Sequence, residues 1–332
     1  MPTLYVTEPG ARVEKEYQRL LVTKADELLL RVPIQRVSQL VLVGNVGVTT
    51  PALHSLLAQD VPLLLLTRSG RLRGRLLPPT GGNLPLRQQQ YRRNDDAAFC
   101  LVLTRAIVAA KIHNQRTLAL RLCRRHDHID PAALPRLKAA KEGAQEAATI
   151  DSLRGLEGAA ARSYFQIYRQ AFAADWTFIN RNRRPPKDPI NALLSLGYSL
   201  LTASMMSALE AAGLDPYLGY FHGEKYNRPA LALDLVEPFR TPIVDSIVLR
   251  LINRRIIKAD QFEYGSSESG MLLKPSGLKT FLRSYSDKLE SEIIYANINR
   301  RISYRKIFEV EARQVARAIV DGPNAYTPFR TR

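Results

Sequence analysis

Across residues 3–77 the apolar positions fall into short runs, TLYVTE, RLLVTK, ELLLRVP and QLVLVG, separated by turn residues. Aliphatic and β-branched runs of this length predict strands. Gly10, Gly44 and Gly47 punctuate them. One helix interrupts, with Thr50 as its cap, Pro51 in its first turn and ALHSLLAQ behind them. VPLLLLT then reads as a buried strand, and RSG turns the chain into RLRGRLLP. Residues 78–85, PPTGGNLP, concentrate proline and glycine and predict a linker.

From residue 86 onward the period changes to that of a helix, and the β pattern nearly vanishes. Phe99, Leu103, Ile107 and Ala110 recur at helical spacing inside a segment that makes one long helix or two. Residues 131–146 predict a surface helix. DSLRGLEGAAARSYF opens another, with Asp151 as its cap. Pro189 starts a strongly apolar helix that Gly213 ends. TPIVDSIVLRLINRRIIK, SGLKTFLRSYSDKLES and RKIFEVEARQVARAIVDG predict three more, GSSESG a flexible loop, and NAYTPFRTR a frayed tail. The fold class is therefore α+β and multidomain: a small β-rich domain over 1–77, the linker, and a larger all-α domain over 86–332.

The candidate chemistry lies in GYFHGEKYNRPALALDLVEPFR. His222 precedes Asp234 and Glu237, and acids at i, i+3 share a face if the segment is helical. Histidine and carboxylates converging on one point suit Mn²⁺ or Mg²⁺. Lys225, Arg228 and Arg240 surround them, as suits an anionic substrate such as phosphate. The spacing alone leaves other readings open. A lone histidine is more often a loop or core residue, and Asp-x-x-Glu can simply start a helix. Glu157 stands beside Gly158 and three alanines. An acid in such a close-packed seam is costly unless paired or bound to metal, although a solvated glutamate on a mixed face fits equally. RNRRPPK is a basic loop suited to phosphate contacts. His54 reads as structural, and His126 and His128 as loop residues.

Charge narrows the partner. Of 332 residues, 48 are Lys or Arg and 31 Asp or Glu, a formal net charge of +17. That excess points to a polyanion, most simply nucleic acid. Two cysteines, Cys100 and Cys123, form neither a disulfide framework nor a zinc spacing. They fit a reducing, cytoplasmic compartment. MPTLYVTEPG has no leader pattern, and no apolar run reaches membrane-spanning length. No P-loop, dinucleotide fingerprint or G-x-S-x-G elbow is present.

The order of the segments is more specific than any one of them. LVLVGNVGVTTPALHSLLAQDVPLLLLTRSGRLRG, LRGLEGAAARSYF, RNRRPPKDPINALLSLGYSLL, LDPYLGYFHG and LALDLVEPFR follow one another. Together they resemble the CRISPR-associated adaptation nuclease–integrase, the family numbered one among the Cas proteins. The resemblance implies a β domain that pairs two copies into a homodimer and an α-helical catalytic domain. It implies a small ferredoxin-like partner, the Cas protein numbered two, and double-stranded and branched DNA as substrates. The implied activity is metal-dependent cleavage and joining of DNA, in the cytoplasm of a prokaryote, that inserts short foreign DNA into a CRISPR array. The alternative is a DNA-binding scaffold without chemistry. Mg²⁺ or Mn²⁺ would fall to Glu157, His222 and Glu237, with Asp234 an outer or alternate ligand. Lys225 becomes a candidate for stabilising the phosphate or leaving oxygen. Arg184, Arg240 and Tyr198 are candidate DNA contacts, a core role for Tyr198 being equally open.

Overall fold

The computed structural model describes residues 3–77, 83–182, 185–223, 225–267 and 270–331. Eight strands come first: β1 (Thr3–Val6), β2 (Arg12–Glu16), β3 (Arg19–Lys24), β4 (Glu27–Pro33), β5 (Gln39–Val43), β6 (Gly47–Val48), β7 (Leu63–Leu66) and β8 (Leu72–Leu76). Helix α1 (Thr50–Ala58) lies between β6 and β7 and is preceded by Thr49, one residue before the expected cap. One sheet has the order β1-β5-β7-β8 and the other β4-β3-β2-β6. In the first, β5 runs parallel to both β1 and β7.

The register makes β5 a shared wall. Successive side chains of a strand point to opposite faces, and here both faces are covered. Leu40 and Leu42 join Val6, Val13, Leu20 and Leu56 in a core between the two sheets. Val41 and Val43, with Leu64 and Leu66 of β7, join the large core that the helices build. Two polar ties cross the same boundary. Arg75 of β8 forms a bidentate ion pair with Glu210 at 2.6 and 2.7 Å, and Arg305 donates to the Thr3 hydroxyl at 2.8 Å.

Residues 78–82 of the expected linker lie outside the described residues. Its last residues do not form a connector: Asn83 caps α2 (Leu84–Asn94) by accepting from the Leu86 amide, so Leu84 and Pro85 are helical. The long segment that follows is two helices. α3 (Ala97–Arg125) restarts at Asp96, whose carboxylate accepts from the Phe99 amide. α4 (Leu134–Glu146) and α5 (Ile150–Tyr168) come next. Thr149 and Ser152 form the capping box of α5, leaving Asp151 in the first turn rather than at the cap. α6 (Pro189–Ala211) ends before Gly213, which has φ +84°, the left-handed stop expected there. α3 and α6 are long and apolar enough, by length and composition, to span a membrane, contrary to the expectation that no apolar run reaches that length. In the protein 61% and 67% of those windows are buried, as in core helices.

α7 (Ala230–Phe239) runs through a π turn at Arg240–Asp245 into α8 (Ser246–Asn253). α9 (Pro275–Glu290) and α10 (Tyr304–Asp321) follow. The larger part is not all helical. β9 (Phe262–Tyr264) pairs with β10 (Met271–Leu273), and β11 (Glu292–Tyr295) with β12 (Arg300–Ser303), each antiparallel. These strands have three or four residues, too few to show an alternation in the sequence. Within the expected flexible loop, Glu268 and Ser269 lie outside the described residues.

The expected frayed tail is docked. Tyr326 and Phe329 are buried, and Phe329 stacks on Phe239 at 4.9 Å. The Tyr326 and Tyr295 hydroxyls both donate to Glu311 at 2.6 Å. The Thr331 amide donates to Asn114 at 2.8 Å. Two buried aromatic side chains outweigh the polar character that made the segment look loose.

Candidate active site

Three separate stretches meet beside the middle of α3. α5 contributes Glu157 and α7 contributes Asp234 and Glu237. The 219–223 loop contributes His222. The loop packs so closely on the start of α7 that a Cβ on Gly219 would lie 2.6 Å from the Ala230 carbonyl carbon, a space that only glycine allows.

Asp234 is fully buried and fixes that loop. Its Oδ2 accepts the Tyr220 and Phe221 amides at 2.7 and 3.0 Å, and its Oδ1 accepts the His222 amide at 2.9 Å. Oδ1 also takes the His222 ring at Nδ1, 2.7 Å away. A carboxylate accepts, so Nδ1 carries the proton and Nε2 presents its lone pair. That lone pair faces Glu237 Oε1 at 3.8 Å. With both oxygens engaged, Asp234 orients His222 and is not free to act as an alternate ligand.

Lys111, which the sequence pattern did not single out, stands between the carboxylates. Its ammonium contacts Glu157 and lies 2.6 Å from Glu237 Oε2. Burial works to raise the Glu237 pKa, but the Arg240 and Lys111 charges hold it well below the usual carboxylate range. Among the described residues no three His, Cys, Asp or Glu side chains are gathered closely enough to hold a metal as they stand.

Arg240 was expected to face DNA. It is mostly buried and pairs with Glu237 Oε1 at 3.0 Å. Burial works against its charge, but Glu237 and neighbouring groups hold its pKa above the ordinary value. Its guanidinium lies 4.7 Å from the Tyr198 ring centroid. The Tyr198 hydroxyl points inward and donates to Asp245 at 2.6 Å. Tyr164 donates to the other Asp245 oxygen at 2.7 Å, and Tyr168 to its backbone carbonyl at 3.0 Å. Burial raises the Asp245 pKa, and hydrogen bonds from Tyr198, Tyr164 and Thr241 oppose it. Arg240 and Tyr198 thus form part of the scaffold around Glu237. Lys225 is exposed on the turn after His222. Arg184 lies outside the described residues.

Asp245 and Lys111 each had a faint signal. Asp245 interrupts the apolar run IVDSIV, and Lys111 with Asn114 and Gln115 interrupts the apolar stripe of α3. All four are buried polar residues, which must be paired to be tolerated.

Residues 4–287 match the family described as CRISPR associated protein Cas1. A CRISPR-associated endonuclease Cas1 of Thermus thermophilus is 36% identical over 99% of this chain and 97% of its own length. A Cas4 exonuclease/Cas1 endonuclease fusion of Geobacter sulfurreducens is 37% identical over 99% of this chain, which spans 60% of that longer protein. Among solved structures, a chain of a Cas6-RT-Cas1–Cas2 complex superposes with a TM-score of 0.83 at 25% identity. The match covers all of this chain and 36% of that one.

Proposed function

Given that the chain belongs to the Cas1 family, we propose that it is a metal-dependent DNA endonuclease and integrase of CRISPR adaptation. One observation carries the reading: Glu157 and Glu237 share the Lys111 ammonium, and His222 Nε2 stands 3.8 Å from the second Glu237 oxygen. The donors fit the proposed metal. Two carboxylates and one imidazole suit Mg²⁺ or Mn²⁺, and the buried Glu237 Oε2 already faces a cation, the Lys111 ammonium. A divalent ion held by these three residues would polarise a scissile phosphate as a Lewis acid.

The chain's own groups do the positioning. Asp234 keeps His222 in the tautomer that offers Nε2. Arg240 fixes one oxygen of Glu237 and is itself held on the Tyr198 ring. In joining, the nucleophile is the 3′-hydroxyl of the incoming DNA; in cleavage it is water. Both are in-line displacements at phosphorus, so one constellation serves both. Exposed Lys225, and Arg184 of the basic sequence RNRRPPK, are assigned to the phosphate backbone, consistent with a net charge of +17.

Two protein partners belong to the proposal. A second copy would pair through β4, an edge strand whose Leu28, Leu29 and Leu30 are 47%, 43% and 42% exposed; such an edge is prone to pairing. The small ferredoxin-like protein Cas2 is the other, supported by the Cas1–Cas2 complex that this chain resembles. The compartment is the prokaryotic cytoplasm.

The test uses branched DNA and a plasmid carrying a CRISPR repeat, with Mn²⁺, Mg²⁺ or EDTA. The chain and its His222→Ala variant are compared, with and without Cas2. Metal-dependent cutting or strand transfer that the variant loses supports the assignment. Equal DNA binding by both, with no strand cut or joined under any condition, would leave a scaffold without chemistry.

A further inference from the structure

We propose that Lys111 is a tethered counterion: it holds the Glu157–Glu237 pair together without metal and must leave when a divalent cation binds. The inference rests on the metal-centre reading above. Lys111 is 7% exposed, on a helix in the middle of the core. Burying an ammonium is repaid only by close ionic partners, and it has two, Glu157 and Glu237. Two carboxylates converging without a cation would repel one another. The ammonium therefore stabilises the donor set at the place where a metal would bind it.

That position excludes a metal from the same oxygens. α3 is packed against α4, α5 and α7, so its backbone cannot withdraw. The four-carbon lysine stem can turn. Room for the turn lies beside it, in a cavity of about 30 Å³ bordered by Lys111, Gln115, Glu157, Tyr198, Arg240 and Asp245. A space of that size holds about one water, and so an ammonium head group.

The consequence is a pair of effects with opposite signs. Lys111→Met keeps the stem and removes the charge. In EDTA the variant is expected to melt about 5–10 °C lower than the parent, because two buried carboxylates lose their partner. Its Mn²⁺ affinity, measured from the electron paramagnetic resonance of free Mn²⁺, is expected to rise roughly tenfold once the competing cation is gone. A lysine that only supported the fold would weaken both. Mn²⁺ binding by Lys111→Met that is equal to or weaker than the parent's overturns the proposal.

Glu237→Gln separates the two levels. Parent protein that binds no Mn²⁺ at this site, with Glu237→Gln indistinguishable from it, overturns the metal centre and the counterion together. Parent binding that needs Glu237, with no gain in Lys111→Met, overturns the counterion alone. A second measurement needs no variant, should Lys111→Met fail to fold. Acetic anhydride should label Lys111 poorly in EDTA and several-fold more with saturating Mg²⁺, read by peptide mass spectrometry. Labelling that stays the same while Mg²⁺ is bound overturns the proposal.

Discussion

Asn114 donates its side-chain amide to the Pro238 carbonyl over 2.6 Å, one residue beyond Glu237. In an α-helix that carbonyl would be met by the N–H of residue 242. Residue 242 is proline and has none. Asn114 supplies the missing donor while its oxygen accepts from the Thr331 amide and hydroxyl at 2.8 and 3.0 Å. Replacing Asn114 with Leu orphans a buried carbonyl and releases the 326–331 segment. The expected loss is about 1–3 kcal/mol of stability, with slower strand transfer as Glu237 loosens. Denaturant unfolding checks the first, and an unchanged midpoint would show that Pro238 is satisfied otherwise.

Asp234→Asn is nearly isosteric but replaces an acceptor oxygen with a donor. Asp234 accepts from three amides and an imidazole, so the variant sets N–H against N–H. Metal affinity or activity is expected to fall roughly 10- to 100-fold, as for other groups that orient a ligand. A Mn²⁺ titration equal to the parent's would remove Asp234 from its positioning role.

Glu311 gives the fold a pH dependence of its own. Burial raises its pKa to about 7, although hydrogen bonds from Tyr295 and Tyr326 oppose the shift. A raised carboxyl pKa means that the native state holds the proton more tightly than the unfolded chain. Its contribution to stability is therefore full below the ordinary glutamate value, and it is lost as pH rises through about 7. Glu311→Gln should flatten that decline, by about 3 kcal/mol between pH 4 and 8. Parallel stability–pH curves for parent and variant would contradict the assignment.

The exposed leucines of β4 make the proposed pairing measurable. Leu28→Lys with Leu30→Lys places like charges along an edge strand, a standard obstacle to strand pairing. Sedimentation should show the dimer dissociation constant raised by at least about tenfold. A variant as dimeric as the parent would move the interface elsewhere.

Some of this was legible in the order of residues and some was not. Asp234 and Glu237 share a helix, so their spacing alone placed them together once the helix formed. Gly213 ended α6 because its left-handed conformation is a local matter. Lys111 could not be assigned locally: its partners Glu157 and Glu237 lie on other helices, and only packing brings them to it. Arg240 and Tyr198 were recognised as special, but the pattern could not show that Asp245, a helix away, turns Tyr198 inward. The docked 326–331 segment was missed because its polar and proline residues resemble a loose end, and the groove that takes Phe329 is built by Phe239 and Tyr304. The π turn was within reach, since Pro238 and Pro242 stand four apart and remove two hydrogen-bond donors one helical turn from each other.

The shared wall of β5 bears on how the chain is made. Val41 and Val43 are covered by a core that also contains Leu196 and Leu200 of α6. During synthesis these strands leave the ribosome well before α6 exists, at about 5–20 residues per second. For that interval one face of the mixed β1-β5-β7-β8 sheet stays bare and apolar. A fragment stopped after β8 would keep it bare permanently and be prone to self-association. The β-rich part is thus completed by its successor, and the newborn chain passes through a window in which a chaperone has something to hold.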